Sequence, residues 1–292
     1  MQARRLDDVR AEFTGFGAAY LRALESSRTD RIVNDPFAGL LTQQEGEQEF
    51  FLQTTLKAGS SWGNLIAIRS RYLDEALEHR DTNIRQVVIL GAGLDTRAYR
   101  LDSLRGCHIL AIDQSCQAFN RLSEVMKRED AAPTADKVDC IVANLAEDDW
   151  DSKLLARGFD PRSPTFWVME GLLPYLERSS ILTLLDTIDG VSAPGSELWA
   201  DMAGQATFNF AGTTPVTMKY SEDDPLHGVL SKIPWCLTMQ ASLENEGTHF
   251  GRKWTPLTCI DTDKNVPIAF IMGKKPVPTQ ARLKDVCPGL DW

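Results

Sequence analysis

The chain has 292 residues, with 31 Lys and Arg against 41 Asp and Glu, a formal net charge of -10. That balance opposes a polyanionic partner, which needs a basic footprint, so no nucleic-acid partner is expected. The apolar fraction of 43% supplies a sizeable core, and no apolar run approaches the ~20 residues that cross a bilayer, so no membrane partner is expected.

The first eight residues (Met1-Gln-Ala-Arg-Arg-Leu-Asp-Asp8) hold no hydrophobic stretch of the signal-peptide kind. A cytoplasmic location is the expectation. Phe13, Phe16, Ala19, Tyr20 and Leu24 recur at helical spacing, predicting helix from about Asp7 until Ile32-Val-Asn-Asp-Pro36 interrupts it. Asn34 to Leu41 reads as a cap and a short helix with Pro36 in its first turn. A further helix is expected from about Asn64 to Glu78, with Ile66, Ile68, Tyr72, Leu73 and Leu77 as its apolar positions. It carries Arg69 and Arg71.

The most informative segment follows: Val87-Val-Ile-Leu-Gly-Ala-Gly-Leu-Asp-Thr-Arg97. An apolar run ending in Gly91-Ala92-Gly93 reads as a strand buried on both faces, opening into a turn whose glycines let backbone approach a ligand. Asp113 follows about 20 residues on, after Ile109 to Ile112, at the spacing of an acid that binds ribose hydroxyls. The third glycine of a dinucleotide fingerprint is absent, since Thr96 occupies its place. Asp95 in the turn would repel a diphosphate. It suits a ligand with positive charge, such as the sulfonium and ammonium of S-adenosylmethionine, or it simply caps the next helix.

Strands are expected at 86–91, 108–112, 138–143, 165–169 and 196–201, and helices at about 96–101, 115–129, 149–157 and 178–191. This alternation predicts an α/β fold with a doubly wound, mostly parallel sheet. Ligands sit at the carboxyl ends of such strands, where Gly91, Asp113, Asn144 and Glu170 fall. Glu170 follows the apolar Phe166-Trp-Val-Met169 and precedes Leu172-Leu173, so its charge needs a partner, and a bound cation is a natural one. Residues 203–235, with Pro215, Pro225 and Pro234, read equally as a lid over a substrate or as a surface excursion. Val266 to Met272 reads as a strand, with Pro267 placing it at an edge or at a strand start. The six cysteines include no C-x-x-C pair, and reduced, mostly buried thiols without metal are expected. One domain is expected: N-terminal helices over 1–84, a cofactor-binding core over 85–202, and a lid-like region with terminal strands over 203–292.

Asp35-Pro-Phe-Ala38, Arg69-Ser-Arg-Tyr-Leu-Asp74, Val88 to Leu101, Ile112-Asp-Gln114 and Glu170-Gly-Leu-Leu-Pro-Tyr-Leu176, in this order, resemble the leucine carboxyl methyltransferase family. The resemblance spans about residues 15 to 200, with an echo at Ile268 to Pro276. It implies a Rossmann-like class I methyltransferase fold, S-adenosyl-L-methionine as cofactor and S-adenosyl-L-homocysteine as product. Carried over by position, Arg69, with Arg71 as the second candidate, would bind the methionine carboxylate. Gly91, Ala92 and Gly93 would contact the methionine portion through backbone. Asp113 would accept from both ribose hydroxyls, with Gln114 beside it. Asn144 and Leu145 would meet adenine, at a place where the family often has Asp-Leu. Glu170 would lie near the amino group and the transferred methyl, and Tyr175 lines the acceptor pocket or packs in the core. Bland alternatives stand beside these: Arg69 and Arg71 pairing with Asp74 and Glu75 at the surface, and Asp113 capping its helix.

The chemistry implied is in-line displacement at a sulfonium methyl. A carboxylate acceptor needs no base, whereas a phenol or alcohol does, and His227 or His249 would then be candidates. The compact region after the sheet favours a small organic acid or polyketide-like acceptor. Protein C-terminal carboxyl methylation and a non-catalytic cofactor-binding regulator are the alternatives.

Overall fold

The computed structural model describes residues 6–43, 60–146, 149–205, 218–259 and 262–278. Among the described residues three helices come first: α1 (Leu6–Ser26), α2 (Ala38–Leu41) and α3 (Ser60–His79). Phe16, Ala19 and Tyr20 are buried as their spacing requires, whereas Leu24 is 40% exposed. The Phe13 side chain lies outside the described residues. Pro36 precedes α2 rather than entering its first turn, and Asp35 supplies the turn, its Oδ1 accepting from the amides of Phe37 and Ala38.

Strand and helix then alternate: β1 (Gln86–Leu90), α4 (Arg97–Arg100), β2 (His108–Asp113), α5 (Cys116–Arg128), β3 (Lys137–Val142), α6 (Trp150–Ala156), β4 (Thr165–Met169), α7 (Arg178–Gly190) and β5 (Glu197–Ala203). Four further strands follow: β6 (Cys236–Ser242), β7 (Gly247–His249), β8 (Arg252–Trp254) and β9 (Ile268–Lys274). β7 and β8 form a separate antiparallel hairpin. The main sheet has the order β3-β2-β1-β4-β5-β9-β6. The first five are parallel, and β9 runs antiparallel between β5 and β6. β9 is thus interior, and Pro267 sits just before its first residue, where the missing N–H costs no ladder bond.

Both faces of the central strands are covered, which is why their sequences run apolar without alternation. Val87, Ile89, Phe166 and Val168 pack into one core. Val88, Leu90, Trp167 and Met169 pack into the other, under α7. Phe166 is wholly buried, and truncating such a side chain to Ala costs about 3–5 kcal/mol. β1 pairs with β2 on one side and β4 on the other, so successive crossovers leave it in opposite directions. That reversal opens a crevice at the carboxyl ends of β1 and β4, where doubly wound folds bind ligands.

The stretch 206–217, within the lid-or-excursion expectation, lies outside the described residues. Beyond it, the amides of Lys219 and Tyr220 both donate to the carbonyl of Pro174, at 2.7 and 3.2 Å, fastening this segment over the end of β4. No helix among the described residues is long and apolar enough to cross a membrane. Cys107, Cys116, Cys140, Cys236 and Cys259 form no disulfide among the described residues, and Cys287 lies outside them.

Candidate active site

At the crevice the chain turns sharply after β1. Gly91 has φ +68° and Gly93 φ +50°, values that disfavour side chains bearing Cβ. A Cβ on Gly91 would meet Leu172 at 3.1 Å. Asp113, at the end of β2, holds this turn: its Oδ2 accepts from the Gly93 amide at 2.7 Å. Its Oδ1 accepts from the Ser115 amide at 2.8 Å. The capping alternative for Asp113 is met by its neighbour instead, because Ser115 is the N-cap of α5. Gln114 and Asn144 are half-buried beside this edge, and Leu145 packs on the second core. The Asn144 Oδ1 accepts from the Ala146 amide at 3.0 Å.

Around Glu170 the structure builds a buried ion network. Arg69 Nε donates to Glu170 Oε1 at 3.0 Å, and Arg97 Nη1 donates to Glu170 Oε2 at 2.7 Å. Arg69 Nη1 also reaches Asp201 Oδ2 at 3.3 Å. Arg97 continues the network to Asp74, 2.7 Å from its Nε, and to Asp95, which also accepts from the Arg97 amide. Arg100 closes on Asp74 through two nitrogens. Gly171, φ +60°, donates its amide to Asp201 Oδ1 at 2.6 Å. A Cβ there would stand 3.1 Å from the Arg69 guanidinium, so glycine lets the arginine lie against the backbone.

These pairs correct three expectations. Glu170 is partnered by Arg69 and Arg97, so its burial needs no bound cation. Asp95 precedes the N-cap Thr96, and its carboxylate accepts from both the amide and the guanidinium of Arg97, so its charge has a partner within the fold. Asp74 takes Arg97 and Arg100, rather than the helical neighbours of its own segment. Arg69 and Arg71 also separate: two residues apart on a helix is about 200° of rotation. Arg69 enters the site, while Arg71 pairs with Glu78 at 3.2 Å and lies over the Phe250 ring. Arg71 is thereby removed from the site. His227 is exposed against Asp224, and His249 bonds the Tyr72 hydroxyl at 2.8 Å. Neither lines the crevice.

The electrostatics follow from burial. Desolvation alone would push the Glu170 carboxyl upward, but the Arg97 and Arg69 guanidiniums prevail and hold it at about 2. Asp201 goes the other way: burial raises its pKa, and the single guanidinium of Arg69 does not offset it. Tyr175, also raised by burial, borders the same space.

Beside Arg69 lies a small cavity walled by Trp62, Leu65, Leu257 and Ile268, with Arg69, Tyr175 and Asp201 on its polar side. Arg97 and Asp201 were not singled out from sequence. Asp201 did carry a readable signal, an acid between the buried Ala200 and Met202 at the end of an apolar strand. That is the criterion that marks Glu170. Arg97 carried a weaker one, a cation two residues after Asp95 and next to the glycine turn.

The comparisons with known proteins give the family. A family model described as leucine carboxyl methyltransferase matches residues 15–189. A Rhodococcus jostii protein that carries the name of an S-adenosyl-L-methionine-dependent methyltransferase is 34% identical over 216 residues, spanning 73% of this chain and 72% of that one. A Mycobacterium tuberculosis protein of the same name is 35% identical over 213 residues, 69% of this chain and 67% of its own. The fold is similar to that of a methyltransferase-named crystal structure from Thermobifida fusca, with TM-score 0.56 and 13% identity, covering 89% of this chain and 94% of that one. The chain therefore belongs to the leucine carboxyl methyltransferase family and is an S-adenosyl-L-methionine-dependent methyltransferase.

Proposed function

We propose that the chain transfers the methyl group to an oxygen of a small organic acceptor of polyketide-like character. The observation that carries this reading is the small, mostly apolar cavity against Arg69 and Tyr175, at the carboxyl edge where the cofactor residues gather. An apolar enclosure with a few convergent polar groups is the usual form of a small-molecule site.

The donor fits the charge of the site. Among the described residues, Asp74, Asp95, Glu170 and Asp201 face Arg69, Arg97 and Arg100, four carboxylates against three guanidiniums. The excess of negative charge suits the donor, whose sulfonium, ammonium and carboxylate leave one positive charge. In this reading Asp113 takes the ribose hydroxyls, and the Gly91-Ala92-Gly93 backbone lies against the methionine portion. Arg69 would hold the methionine carboxylate, and Glu170 the ammonium. Asn144 and Leu145 border adenine. The donor supplies an activated methyl on a neutral leaving group, so no acid is required. The protein contributes alignment, which can be worth about 7–11 kcal/mol.

Transfer of labelled methyl from S-adenosylmethionine to a panel of small acids, phenols and a carboxyl-terminal peptide tests the reading. Methylation of small acceptors with the peptide left untouched is expected. Methylation of the peptide alone would overturn it.

A further inference from the structure

The cavity beside Arg69 contains a carboxylate, Asp201, outside the residues that would contact the donor directly. Asp201 sits on β5, one strand beyond the strand that carries Glu170, and it borders the cavity with Tyr175 and the apolar wall. Its Oδ1 is fixed by the Gly171 amide at 2.6 Å, which locks the carboxylate plane. Among the described residues its Oδ2 takes a long contact, 3.3 Å, from Arg69. Arg69 uses Nε and Nη1 in these bonds, so its Nη2 could meet a donor carboxylate while Asp201 Oδ2 stays on the cavity wall as the charged oxygen facing an acceptor.

Charge then discriminates between acceptors. The cluster's carboxylates outnumber its guanidiniums, so the donor's one positive charge is already answered. No positive charge remains for an acceptor carboxylate, which would stand beside Asp201 in an apolar enclosure where like charges repel strongly. A neutral hydroxyl does the reverse. It donates a hydrogen bond to a fixed carboxylate, and a site built to accept that bond discriminates strongly against molecules lacking it. His227 and His249, the bases a hydroxyl acceptor would otherwise call on, are engaged elsewhere.

We propose that Asp201 is the catalytic base of this enzyme and that its acceptor is a neutral apolar molecule bearing a phenolic or enolic hydroxyl. As the acceptor oxygen forms its bond to the methyl carbon, the sulfur–methyl bond breaks and sulfur keeps that electron pair as a neutral thioether. The hydroxyl proton passes to Asp201 Oδ2, and the carboxyl later returns it to solvent. Among the described residues, Arg69, Glu170 and Tyr175 are the titratable groups around Asp201. Burial makes its carboxylate a stronger base than an exposed one, which suits proton removal. The proposal rests on the methyl-transfer reading and narrows its acceptor.

The test separates the two. Binding is measured by calorimetry on protein saturated with S-adenosylhomocysteine, with p-cresol and p-toluate as probes of matched shape. The expected result is that p-cresol binds at least tenfold more tightly, and that Asp201→Asn abolishes this preference while S-adenosylhomocysteine affinity stays within about threefold. Asn keeps the shape and the acceptor for the Gly171 amide, so folding is retained and is checked by thermal melting. Tighter binding of p-toluate, the same preference in the variant, or binding of neither probe would overturn the proposal. In turnover, phenol methylation should fall roughly 10²–10⁴-fold in Asp201→Asn. Methylation of carboxylates alone, undiminished in the variant, would contradict the base while leaving the methyltransferase reading intact. Failure of the wild type to bind S-adenosylhomocysteine would instead remove that reading itself.

Discussion

The two ends of the parallel sheet handle charge in opposite ways. At the amino ends, Lys137 pairs with Asp139 and Lys274 with Glu197, and both lysine side chains are about half exposed, at 55% and 51%. At the carboxyl ends, Arg97 is 2% exposed, Glu170 11% and Asp201 10%. Exposed pairs contribute about 0–1 kcal/mol, because water and salt screen them. Buried pairs must overcome desolvation, and well-packed apolar residues often serve stability as well or better. At the amino edge a half-exposed lysine answers Asp139 and Glu197, whereas at the carboxyl edge Arg69, Arg97, Glu170 and Asp201 are all largely buried, and an edge that buries both partners of its ion pairs is organised for a ligand.

The largest expected effect lies at the centre of the buried end. Glu170→Gln leaves Arg69 and Arg97 without their shared carboxylate, and breaking such a set costs about 3–5 kcal/mol. Urea unfolding should show that loss, and a change below about 1 kcal/mol would mean the three side chains do not depend on one another as a buried network must. The variant also tests acid stability. The Glu170 carboxyl is held at about 2 against an ordinary 4.5, so its contribution is present above 4.5 and is lost as the pH falls from there toward 2. Asp201 is raised, so the folded state gains relative to the unfolded as that group protonates, offsetting part of the loss. Between pH 6 and pH 3 the wild type should therefore lose more stability than Glu170→Gln. An equal loss in both would show that another carboxylate sets the acid limit.

Next in size is Arg69→Ala against Arg71→Ala. Removing Arg69 should weaken S-adenosylmethionine binding about tenfold or more, since hydrogen bonds to charged groups are worth about 1.5–3 kcal/mol. Arg71→Ala should leave it unchanged, because that side chain sits on Glu78 and Phe250. Equal effects would erase the distinction between the two arginines. Smallest is Lys137→Ala at the amino end, expected to change stability by about 0–1 kcal/mol and donor affinity not at all. A loss of donor binding there would break the contrast between the two ends.

The same contrast sets what could be read from sequence. The central strands announce themselves because burial on both faces demands unbroken apolar runs such as Val87 to Leu90. The glycine turn was legible because positive φ at Gly91 and Gly93 disfavours Cβ. β6 was not, since exposed and half-buried positions follow each other irregularly along Cys236–Ser242 and give neither period. Gly91, Asp113 and Glu170 could be placed because each ends a recognisable strand. Their partners could not. Arg97 meets Glu170 across 73 residues, and Arg69 meets Asp201 across 132. Such pairings depend on strand order, which local composition does not encode. A lone buried acid in the sequence therefore invited a ligand as partner, when the fold had already supplied two arginines.

The most direct measurement is calorimetric titration of S-adenosylhomocysteine into the wild type and Asp113→Ala. The account predicts saturable one-to-one binding to the wild type and affinity weakened about 10- to 100-fold in the variant, with its thermal melting largely retained. Equal affinity in both proteins would contradict the claim that the carboxyl edge of this sheet, with Asp113 at its centre, is where the methyl donor binds.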